Sequence, residues 1–343
     1  MKSLYIYIGI VLFLFGCKKE VGPQSVNPDD KGTGKLIVIN EGNFGFGNAS
    51  VSLYNPNTGK IANNQYKNVN GVGIGDVLQS VKSYGNKLYF VVNNSGKVVV
   101  TDTNLRLISE IVGFNSPRYM EIFGNKGFVT DLKQKAVFVV DLITNQIIKQ
   151  IKTQGWTEHI ILHNNKLYVM DRGDYLSNTG PNYVYIINPT TLLKEDSVKV
   201  GINPNSMVLD NNNMLWVLSS GDGISETAKL QKINLNFSRL EFTYSFLSLT
   251  DKPSRISYSS ITNNFYFLNS SVFKVSNDES SFVPSIHYQN INNNFYGLSF
   301  VEGLIYASDA KNYNQNGSIH ILNELGDKIN MVTSSIIPQA VTK

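Results

Sequence analysis

The sequence holds one cysteine, Cys17, among 343 residues. A single thiol forms no internal disulfide, so stability has to come from a packed core. Clustered positive charge is missing too. The 30 Lys and Arg residues are scattered, no basic run exceeds two, and the formal charge is only +4. A dedicated nucleic-acid surface needs grouped Lys and Arg, so that class of partner is excluded. No apolar run reaches the ~20 residues of a membrane-spanning helix; Leu4 to Phe15 falls short of it. Helical periodicity is almost absent beyond that run. No G-x-S-x-G elbow occurs, and no Ser/His/Asp set assembles without free choice among many serines and aspartates.

The amino terminus is built for export. Lys2 precedes the apolar run Leu4 to Phe15, the pattern of a secretory signal over residues 1–16. Cys17 follows Leu14-Phe15-Gly16, which resembles the lipobox of bacterial lipoproteins, where the cysteine carries the lipid. The plainer alternative is an ordinary signal with an incidental cysteine. Residues 17–35, "CKKEVGPQSVNPDDKGTGK", are polar and rich in Pro and Gly, as a flexible tether would be. Residues 36–343 are then the folded part.

That part is a chain of short β-branched and aromatic runs separated by Asn, Gly, Asp and Pro. One turn type precedes an "LYF"-like strand: "YGNKLYF" (84–90), "FGNKGFV" (123–129), "HNNKLYV" (163–169), "DNNNMLW" (210–216), "ITNNFYF" (261–267) and "VEGLIYA" (301–307). Such pairs accept the positive φ of tight hairpins. A second type follows a "VxVxD"-like strand, from "LYNPNTGKI" (53–61) to "ILNELGDKI" (321–329), seven times in all. The period is roughly 40 to 50 residues, that of propeller blades. Six turns of one kind and seven of the other mean that the first blade lacks an inner strand. The tail "SSIIPQAVTK" matches the segments that begin inner strands elsewhere, "NSPRYMEIF", "INPNSMVLD" and "DKPSRISYS". The reading is all-β: a single seven-bladed β-propeller of four-stranded antiparallel blades, the ring closed by the C-terminal strand. A pair of β-sandwiches would not explain the period.

This frame decides what "NEGNFGFGNAS", residues 40–50, is. Its glycines suggest a phosphate loop, but a strand follows instead of a helix. It is therefore a loop between second and third strands on one face of the disc. Asn48 and two phenylalanines, Phe44 and Phe46, are candidate contacts there. Long loops on the same face bring Arg172, Tyr175 and Tyr313. These aromatics either bind a ligand or pack on neighbouring loops. The loops that lead into inner strands open on the central channel. They contribute Gln79, Arg118, Tyr119, Trp156, Glu158, His159, Asn205, Ser206, Ser254, Arg255, Tyr296 and Gln339, a polar and aromatic ring that is the default ligand pocket. Pro117, Pro204, Pro253 and Pro338 only set the start of those strands.

"EHIILH" (158–163) imitates a helical metal motif. In an inner-strand slot it is extended, and four residues of strand span about 13 Å, too far for one ion. His287 and His320 read as surface or satisfied core histidines. Asp102, Asp141, Asn188, Asn234 and Asn323, after third strands, suit Asx turns. "NEGN" and "SGDG" lack the spaced carboxylates of a calcium loop. No cofactor and no metal are expected.

The phrases "INEGNFGFGNASVSLYNP", "GDVLQSV…GNKLYFVVNNSGKVVVTD", "SPRYM", "GFVTD…VFVVDLITNQIIKQI" and "NPNSMVLDNNNMLWVLSSG" resemble those of the YncE-like propeller lipoproteins of Bacteroidetes-type bacteria. The resemblance covers residues 36–343. It implies a role similar to that of the BtuG-type surface lipoproteins, which capture cobalamin and cap a TonB-dependent outer-membrane transporter. The expectation is a non-enzymatic protein held in the outer membrane by lipid on Cys17, facing the cell surface or the periplasm, that passes a small ligand to a transporter. Two rivals stand beside it: a lactonase-like or hydrolytic propeller using Glu158 and His159, and a protein–protein scaffold of the envelope.

Overall fold

The computed structural model describes residues 34–343 apart from 175–179 and 181. The expected signal segment, Cys17 and Tyr175 lie outside the described residues.

Second and third strands such as "KLYFVV" and "AVFVVD" are apolar on both sides, and nearly every residue of them is buried. A strand covered on both faces belongs between two other sheets. Outer strands carry charge instead. Leu193–Lys199, "LKEDSVK", buries only Val198. Blades with buried middles and wet outer edges pack side by side. Seven four-stranded sheets result, and seven apolar clusters fill the seven interfaces between them. The pleat divides one strand between two interfaces: Leu36 and Val38 join Tyr306 and Ile319 of blade seven, while Ile37 and Ile39 join Leu88 and Phe90 of blade two.

Blade one is the closure. Pro338–Thr342 pairs antiparallel with Leu36–Asn40, through Ile37 with Thr342 and Val38 with Val341. Ser50–Asn55 and Lys60–Ala62 complete that sheet. The expected architecture and closure are both present. Gly297 lets the closing strand approach, since a Cβ there would stand 1.8 Å from the Gln339 carbonyl oxygen. The other inner strands are Leu78–Tyr84, Pro117–Phe123, Thr157–His163, Pro204–Leu209, Ser254–Ser259 and Phe295–Val301.

The strand-only reading is corrected at two places, a short α-helix Gln65–Asn70 and a 3-10 turn Glu279–Ser281. The helix forms because Tyr66 is buried in the blade one–blade two interface. Asn64 and Gly71, at φ 56° and 76°, close its two ends. Asn70 pins it to blade two, donating to the Leu105 carbonyl at 2.8 Å and accepting from the Leu107 N–H at 2.9 Å.

Candidate functional site

Every inner strand carries one extra residue near its start. The register slips between Leu78 and Ser80, Pro117 and Met120, Thr157 and Ile160, Pro204 and Ser206, Ser254 and Ser257, Phe295 and Gly297, and Pro338 and Ala340. A β-bulge bends its strand and re-aims a side chain. The residues left out of register include Gln79, Arg118, Tyr119, Glu158, His159, Asn205, Arg255, Tyr296 and Gln339. These are the ring residues expected from the sequence. A cavity of about 190 Å³ lies among them, lined by Gln79, Tyr119, His159, Ser206, Arg255 and Gln339 with apolar Ile39, Ile256 and Leu298.

Charge pairs cross from blade to blade. The Arg118 Nε and Nη2 donate to Glu158 Oε1 at 2.8 and 2.6 Å. Arg172 Nη1 stands 3.8 Å from Glu158 Oε2. Burial pushes the Glu158 carboxyl up, but the Arg118 and Arg172 charges outweigh it and hold the group below its ordinary value. Burial would lower Arg118; Glu158 more than restores it. The rings of Tyr119 and His159 lie 4.0 Å apart, and Gln79 Nε2 donates to the Tyr119 hydroxyl at 3.4 Å. Burial raises Tyr119. Burial lowers the His159 imidazole to about 4, offset in part by Glu158 and reinforced by the three arginines, so the ring is neutral at physiological pH. Across the channel, the Tyr296 hydroxyl donates to Glu41 Oε2 at 2.7 Å. Arg255 donates from Nε to the Tyr296 carbonyl at 3.2 Å and lies over its ring, 5.3 Å from the centroid. Tyr313 meets Tyr296 edge-on at 5.9 Å.

Thus Arg118, Tyr119, Glu158, His159, Arg172, Arg255, Tyr296 and Tyr313 come together. Asn205 and Asn48 are at the expected places but are committed elsewhere. Asn205 donates to the Pro253 carbonyl at 2.8 Å and accepts from Ser206 at 2.8 Å. Asn48 accepts from the Asn43 N–H at 2.7 Å and knots the opening loop. Gly42, at φ 74°, permits that knot, because a Cβ would stand 2.6 Å from the Ala49 nitrogen. Trp156 is half-buried and clasps Gly173 and Arg172 through its backbone. Phe44 and Phe46 project outward, 70% and 77% exposed, so the expectation that they stand uncovered holds. Their loop joins the blade-seven loop through Asn43 Nδ2, which donates to the Tyr313 carbonyl at 2.5 Å.

Three functional features escaped the sequence reading. Glu41 was one. The others are buried carboxylates at second-strand ends that hold the loops leading into the bulges. Asp131 Oδ2 accepts from the Asn115 and Ser116 N–H groups at 2.7 and 2.9 Å. Asp171 Oδ2 accepts from the Gly155 N–H at 2.7 Å, and its Oδ1 from the Gly173 N–H, in the loop that follows, at 2.9 Å. The recurrence of Asp after second strands was the available signal. The Asx turns are as expected: Asp141, Asn188 and Asn323 each accept from backbone N–H groups within the next four residues. Asp222 of "SGDG" is saturated by its own loop, accepting from Ile224, Ser225 and Glu226. The segment Thr157–His163 is extended, and no group of three metal-ligating side chains occurs among the described residues. His320 is a correction. It is buried, but its Nε2 has no partner, because Tyr288 reaches only Nδ1.

A domain family described as one of unknown function, DUF5074, matches residues 33–302. The chain belongs to the DUF5074 family. The matched part of this DUF5074 chain runs from before the first strand into blade seven. No curated protein matches it by sequence. Among solved structures it is similar to a candidate 6-phosphogluconolactonase from Bacteroides uniformis, at 11% identity and TM-score 0.67, covering 90% of this chain and 99% of that one. It is also similar to the hydrazine synthase of Kuenenia stuttgartiensis, at 16% identity and TM-score 0.59, over 70% and 74% of the two chains. The computationally designed protein Ika8 is a third, at 11% identity and TM-score 0.56, over 90% of each. At these identities the likeness is one of fold.

Proposed function

We propose that the protein is a non-enzymatic binding module of the cell envelope, anchored by lipid on Cys17, that captures a small ligand on the loop face and hands it to an outer-membrane transporter. One observation carries the reading. Five of the seven bulges place a polar or aromatic residue in one cavity, Gln79, Tyr119, His159, Arg255 and Gln339, beneath a rim that leaves Phe44, Phe46 and Tyr313 exposed. Concave sites with a few convergent polar groups are where small molecules bind, and exposed aromatics supply contact area at little rotor cost. The export signal and the resemblance to surface-capture lipoproteins point the same way. Cobalamin is the first ligand to try. A corrinoid is several times larger than the cavity, so it would lie across the rim.

Calorimetric titration of the full chain with cobalamin and a panel of other nutrients tests this. A saturable signal is expected, weakened about tenfold or more in the Phe44→Ala/Phe46→Ala double variant. Silence across the panel from folded protein would overturn it. Cys17→Ala should move the protein from the membrane to the soluble fraction, and unchanged fractionation would refute the anchor.

A hydrolytic reading draws on the neutral His159 imidazole beside Glu158. Against it, Glu158 is committed to Arg118 and held below its ordinary value, which makes it a weak base. Turnover of a lactone, abolished in Glu158→Gln, would be needed to sustain it.

A further inference from the structure

The guanidinium groups around the channel cavity, Arg118, Arg172 and Arg255, are not answered alike. Arg118 and Arg172 share Glu158. Glu41 is engaged by the Tyr296 hydroxyl. Arg255 makes no ion pair among the described residues; it has only a backbone carbonyl and the face of Tyr296. The other carboxylate near the mouth, Asp76, is held by the Gly45 N–H and the Asn94 amide at 2.8 and 2.6 Å. Arg255 is half-buried, and a guanidinium there with donors to spare is suited to receive an anion.

Two more observations bear on the same spot. Arg255 has φ 59°, a conformation that residues with a Cβ rarely adopt and that recurs where function holds strain in place. It sits in the bulge of its inner strand and lines the cavity. Facing it are Gln79 and Gln339, each 2% exposed. The amide oxygen of each has no hydrogen-bond partner, and neither has His159 Nε2. The Gln339 side chain makes no hydrogen bond at all among the described residues. Buried polar groups left open in this way mark a missing partner. Glutamine amides turn end for end at little cost, so both can present N–H donors to the cavity.

We infer that the channel cavity is a seat for a small anionic group, a carboxylate or a phosphate, held against Arg255 with the Gln79 and Gln339 amides and the Tyr119 hydroxyl as further partners. This rests on the capture reading and deepens it: the anionic end of a captured ligand enters the channel, and the remainder lies across the rim. Arg255 supplies charge-assisted hydrogen bonds, which are short and strong in a site sheltered from water. Glu158 fixes the other two arginines so that they add field and do not collapse inward.

The test is titration of the full chain with inorganic phosphate, with succinate, and with erythritol as a neutral control, all at fixed ionic strength in chloride. Saturable binding is expected for at least one anion and not for erythritol; the two anion arms tell phosphate from carboxylate. Arg255→Gln should weaken it by about tenfold or more. Glu41→Gln keeps an acceptor for Tyr296 and removes an opposing charge, so it should tighten binding several-fold. The opposite sign keeps the inference testable even if the arginine variant fails to fold. No saturable signal from either anion with folded protein, or equal affinity in both variants, overturns the anion seat. Binding of cobalamin or another nutrient that depends on Phe44 and Phe46 but not on Arg255 would sink the seat alone and leave capture intact.

Discussion

His159 makes the stability of this protein depend on acid. Its imidazole has a value of about 4 against an ordinary 6.5. As pH falls through 6.5 the unfolded chain takes up a proton that the folded chain refuses until about 4, so stability declines across that window. Burial lowers His287 and His320 in the same direction. The contribution of His159 has an upper bound of roughly 3 kcal/mol. Urea midpoints measured at pH 7 and pH 4.5 should drop less in His159→Gln, whose side chain does not titrate, than in the parent; equal drops would contradict the assignment. The residue identities of this site were legible in the sequence because each follows the start of an inner strand. Their partners were not. The Arg118–Glu158 pair exists because neighbouring blades displace them toward each other, and the Tyr296–Glu41 bond spans 255 positions across the ring closure. Asn48 and Asn205 show a related point: an exposed-looking amide in a loop is as apt to tie the loop as to meet a ligand, and both tie theirs.

Turns between strands announce themselves in the sequence, and bulges within strands do not. The turn chemistry was plain, because Gly85, Gly124, Asn165, Asn213, Asn263 and Gly303 all take the positive φ that their positions suggested. The bulges left no such mark, since one extra residue looks like any other in an apolar run. Nor did the helix Gln65–Asn70, too short for a helical period to register. In blades three and four a buried carboxylate holds the loop that leads into the bulge. Asp131 accepts from Asn115, Ser116 and Gln134, the last at 3.0 Å. Asp131→Ala leaves those N–H groups without their acceptor and should cost at least about 2 kcal/mol in a denaturant melt. Asp131→Asn should cost less. The alanine variant should also weaken ligand binding, because the loop it frees leads to Arg118 and Tyr119. A melt within error of the parent would show that water replaces the carboxylate.

For the molecule as a whole, the sheet in which Pro338–Thr342 pairs with Leu36–Asn40 decides cooperativity. A chain stopped after Ile336 lacks Pro338–Thr342, which strips Val341 from its interface and exposes the paired edge of Leu36–Asn40. Such an edge invites pairing between chains, so size-exclusion chromatography should show aggregates, and thermal unfolding should broaden. A monomeric, sharply melting truncation would mean that six blades hold without closure. The topology also sets an order of events. Val38 meets Val341 only after every other blade strand has been made. Folding of this kind joins its most distant contacts late and is slow for the same reason. Until then the first β-ribbon waits with its hydrogen-bonding groups unmet. A chaperone, or simple speed of synthesis, has its greatest effect on yield during that interval.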